Sequence, residues 1–171
     1  DSIQNLSIER LSLDSRKRGA PHWSYNVFFD TEKTLKPQHG LFKKESETKN
    51  DLIVDSVDVS SLIHVIGAGP AGLWATLHLL RRGFQVKLYE QGKPVESRFR
   101  DIRRFFNDRH FNPTSNVLFG EGGAGAFSDG KLNTRSRNLF SQTVLEDMVH
   151  LGMSKEILYF SKPHIGTNKL V

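Results

Sequence analysis

The six-residue segment GAGPAG at residues 67–72, which contains three glycines, constrains the fold of this chain more than any other feature. The residues before it, 62–66 (LIHVI), form a compact apolar run of the kind found in a strand buried on both faces of a parallel sheet. A helix-forming stretch follows and stops at Gly83, a residue type that commonly ends helices. Residues 84–90 then alternate apolar and polar side chains. The order predicts a strand, tight turn, helix and second strand, which is a βαβ unit.

The glycine spacing G-x-G-x-x-G, called here the first glycine motif, is typical of dinucleotide-binding folds. Gly67 would permit the turn, Gly69 would let a pyrophosphate approach the backbone, and Gly72 would let helix and strand pack closely. The phosphates would lie at the N-terminus of the helix, where the backbone N–H groups are free. The residues predicted to line this end of the site are Gly67, Gly69, Pro70, Ala71 and Gly72.

Glu90 ends the second predicted strand and lies eighteen positions after Gly72. An acidic residue at about this distance accepts hydrogen bonds from the ribose hydroxyls of a bound nucleotide. The carboxylate would repel a 2'-phosphate, so NADP is not expected as the ligand of this site. FAD and NAD fit the geometry equally well.

Finer detail favours FAD over NAD. The run VIGAGPAGL at residues 65–73, together with YEQG at 89–92, resembles the FAD-binding opening of flavoprotein oxidoreductases. Many such flavoproteins place an arginine over the cofactor phosphates near the position of Arg98. Here Arg98 belongs to a predicted amphipathic helix at residues 95–109, with Val95, Phe99, Ile102 and Phe106 as its apolar face. Arg100 and Arg103 are alternatives to Arg98 for this role, and the alternative for Arg98 itself is an ordinary solvated helix face.

A second glycine cluster, FGEGGAGAFSDGKLN at residues 119–133, is too rich in small residues for an ordinary loop. Such a backbone allows another group to approach closely. Gly122, Gly123, Gly125 and Ser128 are predicted to lie near the flavin, and the alternative is a loop that packs against the sheet. The cluster nearly matches a P-loop, but Leu132 stands where a hydroxyl would hold Mg²⁺, which argues against ATP hydrolysis.

The rest of the chain predicts a small α+β segment at residues 1–30, a polar linker or insertion at 31–61, and the nucleotide-binding domain at 62–171. Residues 12–18 are turn-like, and residues 23–29 alternate as in a half-buried strand. Within the large domain we expect a short strand at 117–119 and a helix at 139–151 that stops at Gly152. A further helix is predicted after Gly166.

The amino-acid composition argues against several kinds of site and partner. The chain has no cysteine, which excludes disulfides and a dithiol relay in this segment. Its seven histidines lack metal-ligand spacing, so no metal is predicted. No apolar run has the length of a membrane span. The net charge of +5 is scattered and no aromatic RNA-binding platform accompanies it, so nucleic acid is not the expected partner. We expect a soluble intracellular protein of the cytoplasm, with import into an organelle left open.

The second cluster, read from Asn116 to Thr134, and the segment KPHIGTNKL at residues 162–170 together resemble a family of largely uncharacterised FAD-dependent dehydrogenases. The resemblance covers about residues 62–171, and weaker similarity at 13–27 extends to the module that precedes the FAD domain there. Members of this family are far longer, which implies that the chain is truncated at Val171, lacks the final FAD-contacting strand and binds flavin poorly alone.

The sequence therefore predicts an α/β, Rossmann-like FAD-binding domain, present in part, from an FAD-dependent oxidoreductase that exchanges hydride through the flavin. NAD(P)H is a candidate electron donor, and the substrate, the oligomeric state and the catalytic residues stay unassigned. Asp129 and Lys131 are candidates for an acid or base beside the flavin, and His164 is a candidate for a residue on the substrate side. The alternatives are an NAD-binding dehydrogenase, a non-catalytic flavin-binding protein and a flavin-dependent RNA-modification factor.

Overall fold

The computed structural model describes residues 3–16, 19–36, 38, 40, 59–132 and 139–166. Contacts within the chain divide it into two units, Asp1–Ile53 with Asn133–Pro163 and Val54–Leu132 with His164–Val171. This division splits the predicted 62–171 domain. The described residues form a small mixed α/β protein with two short sheets of two strands each.

The regular elements are named here in chain order. They are β1 (Gln4–Asp14), β2 (His22–Asp30), β3 (Leu62–Ile66), α1 (Pro70–Arg81), β4 (Gln85–Tyr89), α2 (Val95–Asp108) and α3 (Leu139–His150), with short 3₁₀ helices at Gly123–Phe127 and Lys155–Leu158.

The predicted βαβ unit is confirmed in the second unit. Strands β3 and β4 pair in parallel, in a register that joins Leu62 to Gln85 and Ile66 to Tyr89. Helix α1 connects them. Gly83 follows this helix and has φ +85°, a left-handed conformation that glycine adopts without steric cost. Parallel pairing requires such a crossover helix, so the local order of elements fixes this topology.

The prediction that β3 is buried on both faces is wrong for the described residues. Ile63 and Val65 are half-buried, whereas Leu62 is 48% exposed and Ile66 is 80% exposed. The reason is that β3 has one neighbouring strand, β4, and α1 packs against the sheet. Alternate residues of a strand point to opposite faces, so the exposed set is the one on the face opposite to Ile63 and Val65.

Helix α2 has nearly the predicted bounds and ends at Arg109 in a left-handed conformation. Its buried face differs from the prediction, because Phe99 and Phe106 are more than half exposed while Arg98 and Ile102 are buried. The buried side of α2 therefore includes Arg98 and Ile102 and leaves Phe99 and Phe106 exposed.

The predicted strand at residues 117–119 is wrong, because this segment is a series of bends. The Asn116 side chain replaces strand pairing: its Oδ1 accepts the N–H groups of Leu118 at 2.8 Å and Phe119 at 3.2 Å. Asparagine side chains commonly stabilise turns in this way. The chain therefore turns sharply just before the second glycine cluster.

The first unit contains an antiparallel hairpin of β1 and β2. Strand β2 matches the predicted strand, but of its alternating side chains Phe29 alone is half-buried, whereas Trp23 is 54% and Tyr25 is 55% exposed. Strand β1 was not predicted, and it includes residues 12–14 of the segment expected to be turn-like. The described part of residues 1–30 holds these two strands and no helix.

Helix α3 matches its prediction, and Gly152 follows it with φ +105°. Leu11 of β1 is bonded to the segment beyond this helix: its N–H donates to the Tyr159 carbonyl at 2.8 Å and its carbonyl accepts the Ser161 N–H at 2.9 Å. The helix predicted after Gly166 lies outside the described residues. Among the described helices, none is long and apolar enough to cross a membrane.

Candidate nucleotide-binding site

The first glycine motif makes the turn from β3 into α1. Gly67 has φ +99° and donates its N–H to the Tyr89 carbonyl at 2.7 Å, so the turn begins directly beside the end of β4. A Cβ atom at Gly72 would lie 1.9 Å from the Gly67 carbonyl oxygen. Gly67 thus supplies the left-handed conformation, and Gly72 lets α1 pack onto the turn, as the spacing predicts.

Gly69 differs from its two neighbours in the motif. Its φ is −74°, which any residue can adopt, and a Cβ atom there would meet no atom within 4 Å. Neither conformation nor packing within the described protein requires glycine at this position. The open space therefore fits the prediction that a ligand approaches the backbone here.

The N-terminus of α1 lies at Gly69, next to this open space. Gly69 is the N-cap and Pro70 fills the first helical position, and no side chain in the described part of the chain caps the helix. The N–H groups in the first turn of a helix have no partner within the helix, and the aligned peptide dipoles favour an anion there. Ala71 is exposed and Gly72 is half-buried. This end of α1 is suited to bind a phosphate.

Glu90 joins three loops through its carboxylate. Oε2 accepts the Ala68 N–H at 2.8 Å, and Oε1 accepts the Gly92 N–H at 2.8 Å. These two backbone hydrogen bonds, with a further one from Gly120 and the positive charge of Arg98, hold the pKa of Glu90 below its ordinary value. A carboxylate oxygen accepts more than one hydrogen bond, so the ribose hydroxyls can still be accommodated.

The second glycine cluster packs against the first glycine motif. The Gly122 N–H donates to the Ala68 carbonyl at 2.8 Å. A Cβ atom at Gly123 would lie 3.1 Å from the Gly69 Cα, and one at Gly125 would lie 3.4 Å from the Pro70 Cγ. The close approach predicted for this cluster is therefore present, and the approaching group is the start of α1 rather than the sheet. Contact of the cluster with a flavin stays a prediction.

Gly92 and Gly120 form a further close approach that was not predicted. A Cβ atom at Gly92 would lie 2.4 Å from the Gly120 Cα. The two residues are far apart in the chain, and glycine at both positions was the only signal that could have suggested their contact. The pair brings the segment after Glu90 against the beginning of the second cluster.

Arg98 is fully buried, so the alternative of a solvated helix face is wrong. Its Nη2 donates to the carbonyls of Asn116 at 2.8 Å and Val117 at 3.1 Å, and its Nη1 donates to the carbonyl of Glu121. Burial lowers the pKa of Arg98, and the carboxylates of Glu90 and Glu121 oppose this effect. A direct contact of Arg98 with a phosphate stays a prediction.

The candidate acid or base residues Asp129 and Lys131 lie close to His164, the candidate for the substrate side. Asp129 and Lys131 form an ion pair at 2.7 Å, and His164 Nε2 lies 2.7 Å from the Asp129 carbonyl oxygen. Because a carbonyl only accepts, Nε2 is the donor in this hydrogen bond. Ser128 is exposed, and its Oγ accepts the Gly130 N–H at 3.2 Å. The pairing of Lys131 with His164 in a β-bridge differs from the helix that follows a P-loop lysine.

Within the described residues, no group of three or more His, Cys, Asp or Glu side chains could hold a metal ion.

No protein-family model matches the chain. Its sequence is similar to that of an uncharacterised protein of Clostridium beijerinckii, with 37% identity over 177 residues. The match covers 99% of this chain and 33% of the relative, so the chain spans about a third of the length of the curated relative it matches.

Proposed function

We propose that this chain carries the ADP-binding part of an FAD-dependent oxidoreductase. The observation that supports this most is the open space at Gly69, which lies at the N-terminus of α1 and borders the second glycine cluster. A Rossmann-like sheet with further strands beyond β3 and β4 is part of the proposal, as is the activity of the whole protein.

The residues present fit the nucleotide half of FAD. The first-turn N–H groups of α1 would bind the pyrophosphate beside Gly69, and Glu90 would accept hydrogen bonds from the ribose hydroxyls. Glu90 is held as a carboxylate by its backbone donors, which suits this role. Its negative charge disfavours a nucleotide with a 2'-phosphate. When bound, the flavin would supply hydride exchange with a substrate.

FAD is preferred over NAD because of the second glycine cluster. Its glycines border Gly69 and Pro70, so this backbone would line the ligand beyond the helix N-terminus. The resemblance of residues 65–73 and 116–134 to flavoproteins supports the same choice. NAD binding is the second candidate, since the contacts of Gly69 and Glu90 suit its ADP part equally well. A nicotinamide nucleotide is also proposed as electron donor, at a site not yet assigned.

The visible spectrum of the purified full-length protein separates these candidates. We expect a yellow protein with the absorption bands of oxidised flavin, released on denaturation as FAD. Anaerobic bleaching by NADH or NADPH would then support an oxidoreductase over a passive flavin carrier. A colourless protein that binds NAD and not FAD would overturn the flavin assignment, and salt-sensitive RNA affinity would favour the RNA-modification alternative.

A further inference from the structure

Arg98 touches the second glycine cluster on both sides of the segment that borders Gly69. On the N-terminal side, its guanidinium donates to the carbonyls of Asn116, Val117 and Glu121. On the C-terminal side, its Cζ lies 4.7 Å from the centre of the Phe127 ring, within the range of a cation–π contact. The residues between these contacts, 122–126, are called here the wall.

The wall is the part of the cluster that reaches the nucleotide-binding turn. Gly122 is bonded to Ala68, and Gly123 lies against Gly69. The wall contains all but the last residue of the 3₁₀ helix Gly123–Phe127, with Gly122 and Gly123 in left-handed conformations. A glycine-rich segment of this kind loses much conformational entropy when it is ordered, so its position depends on the contacts that bracket it.

The neighbourhood of Arg98 is shaped to admit this side chain. A Cβ atom at Gly120 would lie 2.3 Å from the Arg98 Cδ, so glycine is needed for the arginine stem to pass. Glu121 returns a contact to the same helix: its Oε2 accepts the Val95 N–H at 2.9 Å. The buried positive charge is balanced by the carboxylates of Glu90 and Glu121.

We propose that Arg98 is a positioning residue for nucleotide binding: by clamping both ends of the wall, it holds the second glycine cluster against Gly69. This role needs no contact between Arg98 and the ligand, because it acts through the wall: the side chain is fully buried and donates to backbone carbonyls. This inference rests on the proposed function for the ligand, but the clamp itself is a property of the protein alone.

The test compares Arg98→Lys with a control variant in the full-length protein. Lysine keeps the positive charge, but its ammonium group lacks the planar fork that serves several carbonyls and stacks on a ring. Ile102 is buried on the same helix, so Ile102→Val or Ile102→Ala, whichever matches the Tm of Arg98→Lys, controls for lost stability.

Two measurements are made on each variant. The first is hydrogen exchange of the amides at 120–127 without nucleotide, and we expect faster exchange in Arg98→Lys than in the matched control. The second is the Kd for FAD and for ADP, and we expect both to weaken about tenfold in Arg98→Lys, as for the loss of a hydrogen bond to a charged group. The control should bind both nucleotides like the wild type.

Unchanged exchange at 120–127 would overturn the clamp. Faster exchange with nucleotide affinity equal to that of the control would overturn the positioning role. If Arg98→Lys does not fold, Phe127→Leu replaces it, since leucine keeps an apolar side chain but removes the ring face; the same comparisons then apply, with an affinity loss of a few fold. A wild-type protein that binds neither FAD nor ADP would overturn the proposed function and the positioning role, whereas the exchange measurement would still decide the clamp.

Discussion

The Glu90 carboxylate accepts the Ala68 N–H at 2.8 Å and so ties the end of β4 to the turn that leaves β3. The same side chain accepts the Gly92 N–H at 2.8 Å. A residue predicted to bind ribose therefore also organises the loops around the site. Protonation of Glu90 should therefore affect both the stability of these loops and the binding of a nucleotide.

The pKa of Glu90 is depressed in the folded protein, first by the Ala68 and Gly92 hydrogen bonds. Such a group adds stability above its ordinary pKa of 4.5, and that stability is lost as the pH falls through the lower folded value. We expect Glu90→Gln to lower the free energy of unfolding by about 1–2 kcal/mol at neutral pH, as for lost charge-assisted bonds. Denaturant titrations of both proteins should show this difference shrinking below the ordinary pKa. A difference that does not change with pH would contradict the role of the ionised carboxylate.

Substitution by alanine should change the stability of the protein little at Gly69 and much more at Gly72. At Gly69 the new Cβ meets no atom within 4 Å, so the free energy of unfolding should change by less than about 1 kcal/mol. At Gly72 the higher helix propensity of alanine would by itself stabilise the protein by about 1 kcal/mol. The new Cβ, however, would lie 1.9 Å from the Gly67 carbonyl oxygen. The backbone has to shift, and we expect net destabilisation of about 1–3 kcal/mol, as in overpacked cores. Thermal unfolding of the two variants measures both effects, and equal Tm values would show that the turn is not packed as described.

Gly120 and Gly83 separate conformational strain from steric clash. Both have positive φ, +118° at Gly120 and +85° at Gly83, so alanine is strained at either position. A Cβ atom at Gly83 meets open space, whereas one at Gly120 would lie 2.3 Å from the Arg98 Cδ. We expect Gly83→Ala to cost about 1 kcal/mol of stability and Gly120→Ala clearly more. Denaturant midpoints decide this, and a smaller loss at Gly120 would mean that Arg98 can move aside freely.

Local spacing was sufficient to predict the βαβ unit and the bounds of α1, because the turn, the helix stop and the strands depend on neighbouring residues. The burial of Arg98 could not be predicted in the same way. Helical periodicity places Phe99 and Phe106 on the apolar face of α2, whereas the carbonyls that bury Arg98 come from Asn116 to Glu121, at least eighteen residues away.

The second glycine cluster shows the same limit. Its small residues indicated that some group approaches closely, but composition cannot name that group. The structure identifies the Gly69 backbone and the Pro70 ring as such partners, through Gly123 and Gly125. Strand β1 was missed although Leu6 and Ile8, and then Leu11 and Leu13, alternate with polar residues. The alternation changes phase between Ile8 and Arg10, where the pairing with β2 is irregular, so no single period of two runs through the strand.

The central claim is tested most directly by titrating FAD into the full-length wild-type protein and into Gly69→Ala, with ADP as competitor and Tm as the check on folding. We expect that wild type binds FAD, that ADP competes for the site, and that Gly69→Ala loses the affinity while its Tm stays close to that of wild type. A Gly69→Ala protein that binds FAD as tightly as wild type, or a wild-type protein from which ADP does not displace FAD, would contradict it.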